Sequence, residues 1–184
     1  MRKDMTQRVL QLIYDLFCGS GGMWPTLAHL QRALDRQGNS NVDAARVVER
    51  IPARLLKPSG SAAGYPASAG QLTLTVEGIR RCTRSDEDIA NFMAAVRWLA
   101  RRAEHADLAG DASEPGMRFT TLQLAEAVPL SIESDGQSIR RLVAILQVEG
   151  LVKENGYARR QPWARSIRRL GNPGILWRRA IFGL

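Results

Sequence analysis

Side chains able to make or break bonds are scarce in this chain. Two cysteines, Cys18 and Cys82, and two histidines, His29 and His105, are the soft metal ligands of its 184 residues. They lie far apart, and neither histidine has a Cys, Asp or Glu at metal-ligand spacing. No disulfide framework or metal knuckle is expected, and both cysteines read as buried free thiols. Catalysis by a Ser-His-Asp set would need a nucleophile elbow, Gly-x-Ser-x-Gly, which the sequence lacks. Gly19, Gly21 and Gly22 could cradle a phosphate, yet no phosphate-binding lysine follows them. The expectation is a protein without enzyme chemistry and without a cofactor.

Cationic chemistry is the exception. Of a formal net charge of +8, +7 comes from residues 155–184, where Arg159, Arg160, Arg165, Arg168, Arg169, Arg178 and Arg179 stand with no acidic residue. Trp163, Trp177 and Phe182 are interleaved with them. Arginine neutralises phosphate, and an aromatic ring stacks on a base or buries in a partner. This composition therefore suits nucleic acid, an acidic protein surface or an anionic membrane face. Gly171-Asn172-Pro173-Gly174 sets off 171–184 as an apolar and basic tail that docks either on the body or on a partner.

These charges must be positioned by a folded body, and the composition supports one, with 45% hydrophobic and 24% charged residues. No run approaches the roughly 20 apolar residues of a membrane span, and the start of the chain is amphipathic, unlike a secretory signal. A cytoplasmic protein with no membrane span is the expectation. Val9, Leu12, Ile13, Leu16 and Phe17 keep helical spacing over residues 5–18, and Gly19, Gly21 and Gly22 end that helix. Thr26 can cap a second helix to about Gln37, with Leu27, Leu30 and Leu34 inward and His29 on its surface. A third helix is expected from about Val42 to Leu56. Lys57–Gly70, rich in Gly, Pro, Ala and Ser, reads as a loop, and Gln71–Val76 alternates as a strand.

Ser85, followed by Asp86, Glu87 and Asp88, opens the clearest helix, running to about His105 with Ile89, Phe92, Met93, Val96, Leu99 and Ala103 on one face. It is either a spine joining two units or the first helix of the second. Past a connector at Asp107–Gly116, Thr121 caps a short helix, Leu122–Val128, closed by Pro129. A longer helix spans about 135–149, with Ile139, Leu142, Val143, Ile145 and Leu146 inward. Gly150-Leu151-Val152 reads as a strand, and Asn155-Gly156 as the turn of a hairpin.

The run from Phe119 to Arg160 resembles the core of winged helix-turn-helix proteins of the kind found in bacterial transcription regulators. It has a short helix centred on Leu124-Ala125, a turn, and a longer helix ending in Leu146-x-x-Glu149-Gly150-Leu151-Val152 before a basic hairpin. The resemblance covers about 45 residues and implies a helix that fits the major groove. By similarity the outward residues are Gln137, Ser138, Arg140, Arg141 and Ala144. The wing residues Lys153, Arg159 and Arg160, with Arg165, Arg168 and Arg169 beyond them, would hold phosphates. Two features run against simple DNA binding. The connection Ser131–Gly136 is long and acidic, and the first half is nearly neutral, more like a partner-binding copy.

The fold expected is mainly α with short β-hairpins, as two winged-helix-like units in tandem. Residues 1–83 form the first, 84–170 the linking helix and second, and 171–184 the tail. Duplex DNA read by a homodimer in transcription regulation is one function; a protein-protein adaptor or scaffold using the same surfaces is the alternative.

Asp15-Leu16-Phe17-Cys18-Gly19-Ser20-Gly21-Gly22 is also similar, letter for letter, to the first motif of DNA cytosine-5 methyltransferases, where a strand feeds a glycine loop that holds S-adenosylmethionine. The reading is discounted. The preceding residues have helical period, the family's Pro-Cys dipeptide is absent, and 184 residues are too few for a cofactor domain and a target-recognition region. The glycines are expected to turn the chain between two helices.

Overall fold

In a computed structural model describing residues 2–57, 70–108, 121–128 and 136–152, the apolar spacing at Val9, Ile13 and Phe17 produces the expected first helix, α1 (Arg2–Gly19). Its end is closed by two backbone bonds, Gly22 N–H to the Phe17 carbonyl (3.0 Å) and Gly21 N–H to that of Cys18 (3.1 Å). This Schellman pair needs a left-handed residue, supplied by Gly21 at φ 68°. Helix α2 (Leu27–Arg36) starts at Thr26, whose Oγ1 accepts the His29 N–H while His29 Nδ1 accepts the Thr26 N–H, both at 3.3 Å. His29 is on the surface, as expected, and it takes the place of the usual glutamate in a capping box.

The third helix is shorter than the periodicity predicted. Helix α3 spans Ala44–Val48, capped by Asp43 Oδ1 on the Ala45 N–H (2.9 Å). Pro52 has no N–H to continue the ladder, and its carbonyl accepts from Leu55 (2.8 Å) and Leu56 (3.3 Å), turning the chain into β1 (Leu56–Lys57). Strand β1 pairs antiparallel with β2 (Thr73–Leu74), Leu56 opposite Leu74. A further antiparallel bridge joins Thr26 to Gln71.

The strand expected over Gln71–Val76 is cut short by a helix that the sequence reading missed. Thr75 Oγ1 accepts the Gly78 N–H (3.1 Å) and starts α4 (Val76–Arg80). Gly78 lies flat on the preceding turn, where a Cβ would stand 2.1 Å from the Leu55 carbonyl oxygen.

Helix α5 (Asp86–Leu108) follows Ser85, whose hydroxyl donates to the Cys82 carbonyl (2.8 Å). It buries Phe92, Ala95, Val96 and Leu99, with Asp88 and Asn91 on the same side. The short α6 (Thr121–Ala127) buries Leu124, and α7 (Gln137–Val148) buries Leu142, Ile145 and Leu146. Gly150-Leu151-Val152 is not the expected strand. It is a second Schellman end, with Leu151 N–H bonded to the Leu146 carbonyl (2.9 Å).

The described chain is thus mainly helical with a two-stranded antiparallel sheet. Its buried residues form one hydrophobic cluster running across positions 83 and 84, with Phe17, Leu34 and Ile79 in the same cluster as Phe92, Leu124 and Ile145. Glu149 ties the two halves at the surface: it accepts the Val76 N–H (2.8 Å) and pairs with Lys57 (3.7 Å), whose Nζ also donates to the Val148 carbonyl (2.5 Å). No helix of the described residues is long and apolar enough to cross a membrane. Of the expected loop Lys57–Gly70, Lys57 belongs to β1, and of the connector Asp107–Gly116, 107–108 continue α5; residues 58–69 and 109–116, the hairpin turn at Asn155-Gly156 and the tail at 171–184 lie outside the described residues.

Candidate functional site

Helix α7, the expected groove-reading helix, begins at Gly136, which adopts φ 70° and has no side chain to cap the helix. Gln137 and Arg140 are exposed as predicted, and Arg140 carries no ion pair to a described residue. The other three expected outward residues are turned inward. Ser138 and Ala144 are buried, and Arg141 points into the body, its side chain only 14% exposed. The physical reason is that α7 is packed on more than one side. Helix α5 and strand β2 meet it, and the turn after α1 approaches so closely that a Cβ on Gly22 would stand 3.0 Å from the Arg141 backbone nitrogen. A helix held this way has a narrower free face than the amphipathic pattern implied.

Arg141 enters a buried polar cluster that joins three helices. Its Nε donates to both oxygens of Asp88 (3.0 and 3.1 Å), a carboxylate 2% exposed, and its Nη2 lies 3.4 Å from Ser138 Oγ. Tyr14 on α1 donates its hydroxyl to Asp88 Oδ2 (2.7 Å). The carbonyl of Arg84, a non-glycine residue held at φ 63°, is 3.4 Å from the same hydroxyl. Burial opposes the charge on Arg141, but Asp88 outweighs it, and the guanidinium is held charged more firmly than in water. For Tyr14, burial and then the bond to Asp88 push ionisation up, and burial does the same for Cys18. Cys82 is pushed up to about 12, again chiefly by burial. Tyr14, Cys18 and Cys82 are therefore all held in their neutral forms at neutral pH.

Sequence reading missed Tyr14 and Asp88. The signal is present in the sequence: Asp88 lies four residues before Phe92 and eight before Val96, on the apolar stripe of α5, although its place in the first turn also fits the helix dipole. The thiols were expected buried; Cys82 is, and Cys18 is half-buried, both free.

The glycine motif at 15–22 also finds its place here. Residues 15–19 of it are the last turn of α1, not a strand, and Gly21 and Gly22 form the turn between two helices. Gly21 faces the Gln137 side chain, with a Cβ there 3.7 Å from Cγ, and Gly22 faces the α7 backbone. Lys153, Arg159, Arg160, Arg165, Arg168 and Arg169 lie outside the described residues. Compared with known proteins, the chain matches no family model, no curated relative and no solved structure.

Proposed function

We propose that this chain is a nucleic-acid-binding protein, built as two winged-helix-like units in tandem, that grips its ligand mainly through phosphate contacts. The observation that carries this reading is the location of charge: residues 155–184 hold seven arginines and no acid, and the rest of the chain is close to neutral. A polyanion is drawn to that end, and each arginine that neutralises a phosphate releases a counterion. The winged-helix part is supported by element order. Three helices precede an antiparallel pair, with the Thr26–Gln71 bridge adding a strand contact from the α1–α2 connection, and α5, α6 and α7 follow.

Because Arg141 is committed to Asp88, only Gln137 and Arg140 of the predicted helix set are free to approach bases. The ligand is therefore duplex DNA held with modest sequence discrimination, as phosphate contacts position a protein without specifying sequence. A regulator acting as a dimer in the cytoplasm is the setting this reading suits.

Anisotropy of a labelled random duplex with the full chain, across a salt series, tests it. Binding should fall steeply with salt, and R165Q/R168Q/R169Q should flatten the slope of log K against log salt by roughly 2.7, about 0.9 per lost contact. Salt-insensitive or absent binding would remove the proposal.

An adaptor function is the second reading, favoured by one observation: α7 is buried on several sides and its Arg141 is used internally. A stoichiometric complex with one protein, without salt-sensitive binding to random duplex, would select it.

A further inference from the structure

Helix α5 turns one face to solvent, away from its core side of Phe92, Ala95, Val96 and Leu99. Asp86, Glu87, Ala90, Arg97 and Arg101 are exposed there, and Ala94 is half-exposed. Glu87, Ala90, Ala94 and Arg97 are spaced three, four and three residues apart, which keeps them in one seam along the helix. Charge is divided along that seam: the acids stand in the first turn and Arg97 about 15 Å farther on, with the two alanines between. Arg97 has no acidic residue three or four positions away on either side, and neither it nor Glu87 makes an ion pair with a described residue. Within one chain the two cannot meet. Half-buried Met93 borders the seam at its middle.

We infer that this face of α5 packs antiparallel against the same face of a second copy of the chain, about a two-fold axis between Ala90 and Ala94, with Glu87 paired to the partner's Arg97 on both sides of the axis. The order of the charges decides the occupant. Reversing the helix about that midpoint exchanges position 87 with 97 and 90 with 94, so acid meets base twice and alanine meets alanine. A parallel pairing would set Glu87 against its own copy and Arg97 against its own. The alanines let the two helix axes approach to about 8 Å, the close end of helix packing, and Met93 comes opposite its own copy beside the axis, where its flexible side chain fills the gap. Arg101 is not needed for the match, since Glu104 follows it by three residues. This surface gives the dimer of the nucleic-acid reading an interface, but it rests on α5 alone and on no ligand.

Sedimentation equilibrium of the full chain without nucleic acid, over a concentration and a salt series, tests it. The wild type should associate to a dimer, less tightly at high salt. E87R and R97E each set like charges against one another at both symmetric places and should weaken association roughly 10- to 100-fold. An equimolar mixture of the two variants should regain it, because each supplies the charge that the other has lost, and the double swap E87R/R97E should regain it too. Both positions are exposed, and circular dichroism checks that the variants are folded. A wild type still monomeric at roughly 0.1 mM would overturn the inference and leave the face to another segment of the chain or to a different protein. A dimer indifferent to E87R and R97E, or losses that neither the mixture nor the double swap repairs, would overturn it as well. Duplex binding is read separately: a dimer that binds no duplex would remove the nucleic-acid reading alone, and a monomer that binds duplex would remove only the α5 interface.

Discussion

Removing the charge of Arg141 should damage this protein more than removing the charge of Asp88, although the two form one ion pair. In R141M the Asp88 carboxylate stays 2% exposed, keeps the Tyr14 hydroxyl, and loses both bonds from Nε. An uncompensated buried charge of this kind costs about 3–5 kcal/mol. In D88N the guanidinium is left without its anion, but its side chain is 14% exposed and long enough to carry the charge into water. The loss there should be nearer 1.5–3 kcal/mol, the usual worth of a hydrogen bond to a charged group. At roughly 2–4 °C per kcal/mol for a chain of this size, R141M should melt about 6–20 °C below wild type. The double variant D88N/R141M should recover part of that loss, because no buried charge remains unpaired. Thermal unfolding followed by circular dichroism measures all four proteins. D88N melting below R141M, or a double variant whose losses simply add, would show that Asp88 is not sealed from water as its burial implies.

Further outcomes follow from the same geometry. Gly22→Ala must hold an L-residue at φ 101° against the α7 backbone and should cost at least about 1–2 kcal/mol. Gly19→Ala, helical with open space around it, should be neutral or stabilising by about 0.5–1 kcal/mol; chemical denaturation separates the two. Cys82, its thiol pushed up to about 12, should resist a soluble disulfide reagent at pH 8 until the protein is unfolded, and rapid native labelling would contradict its burial. Folded-state values of Cys82 and Tyr14 are both raised, so their contribution to stability is full below about pH 9 and is lost as pH climbs through 10 toward 12. Melting temperatures at pH 7, 9 and 10.5 should therefore fall in that order, and a rise would reverse the assigned signs. Thr26→Ala removes the acceptor half of the α2 cap and should cost about 1 kcal/mol in the same melts.

The long helices were legible because each shows one apolar stripe at helical period: Val9, Ile13 and Phe17 in α1, Phe92, Val96 and Leu99 in α5, Leu142 and Leu146 in α7. Where backbone chemistry interrupts a pattern, periodicity overran. Pro52 ended helical pairing inside an amphipathic run, and Thr75 capped α4 inside an alternating one. The candidate site was only half legible. Gln137 and Arg140 are exposed, but pattern reasoning assigns each helix a single buried side, and α7 has neighbours on several. An arginine buried against an aspartate fifty-three positions away leaves no local mark, since charge in a sequence reads as solvent-facing. The glycines of 15–22 were legible as a turn between two helices, because the residues before them keep helical period; that their smallness admits a neighbouring helix backbone was not, since α7 lies far along the chain.

Lys57 is the residue immediately before position 58, and it grips the last turn of α7, four residues before Val152. Two described segments far apart along the chain, β1 and the last turn of α7, are accordingly held together at one corner of the body. A strain applied at the end of α7 is therefore shared with the β1–β2 ribbon through Lys57 before it can reach the opposite end of α1.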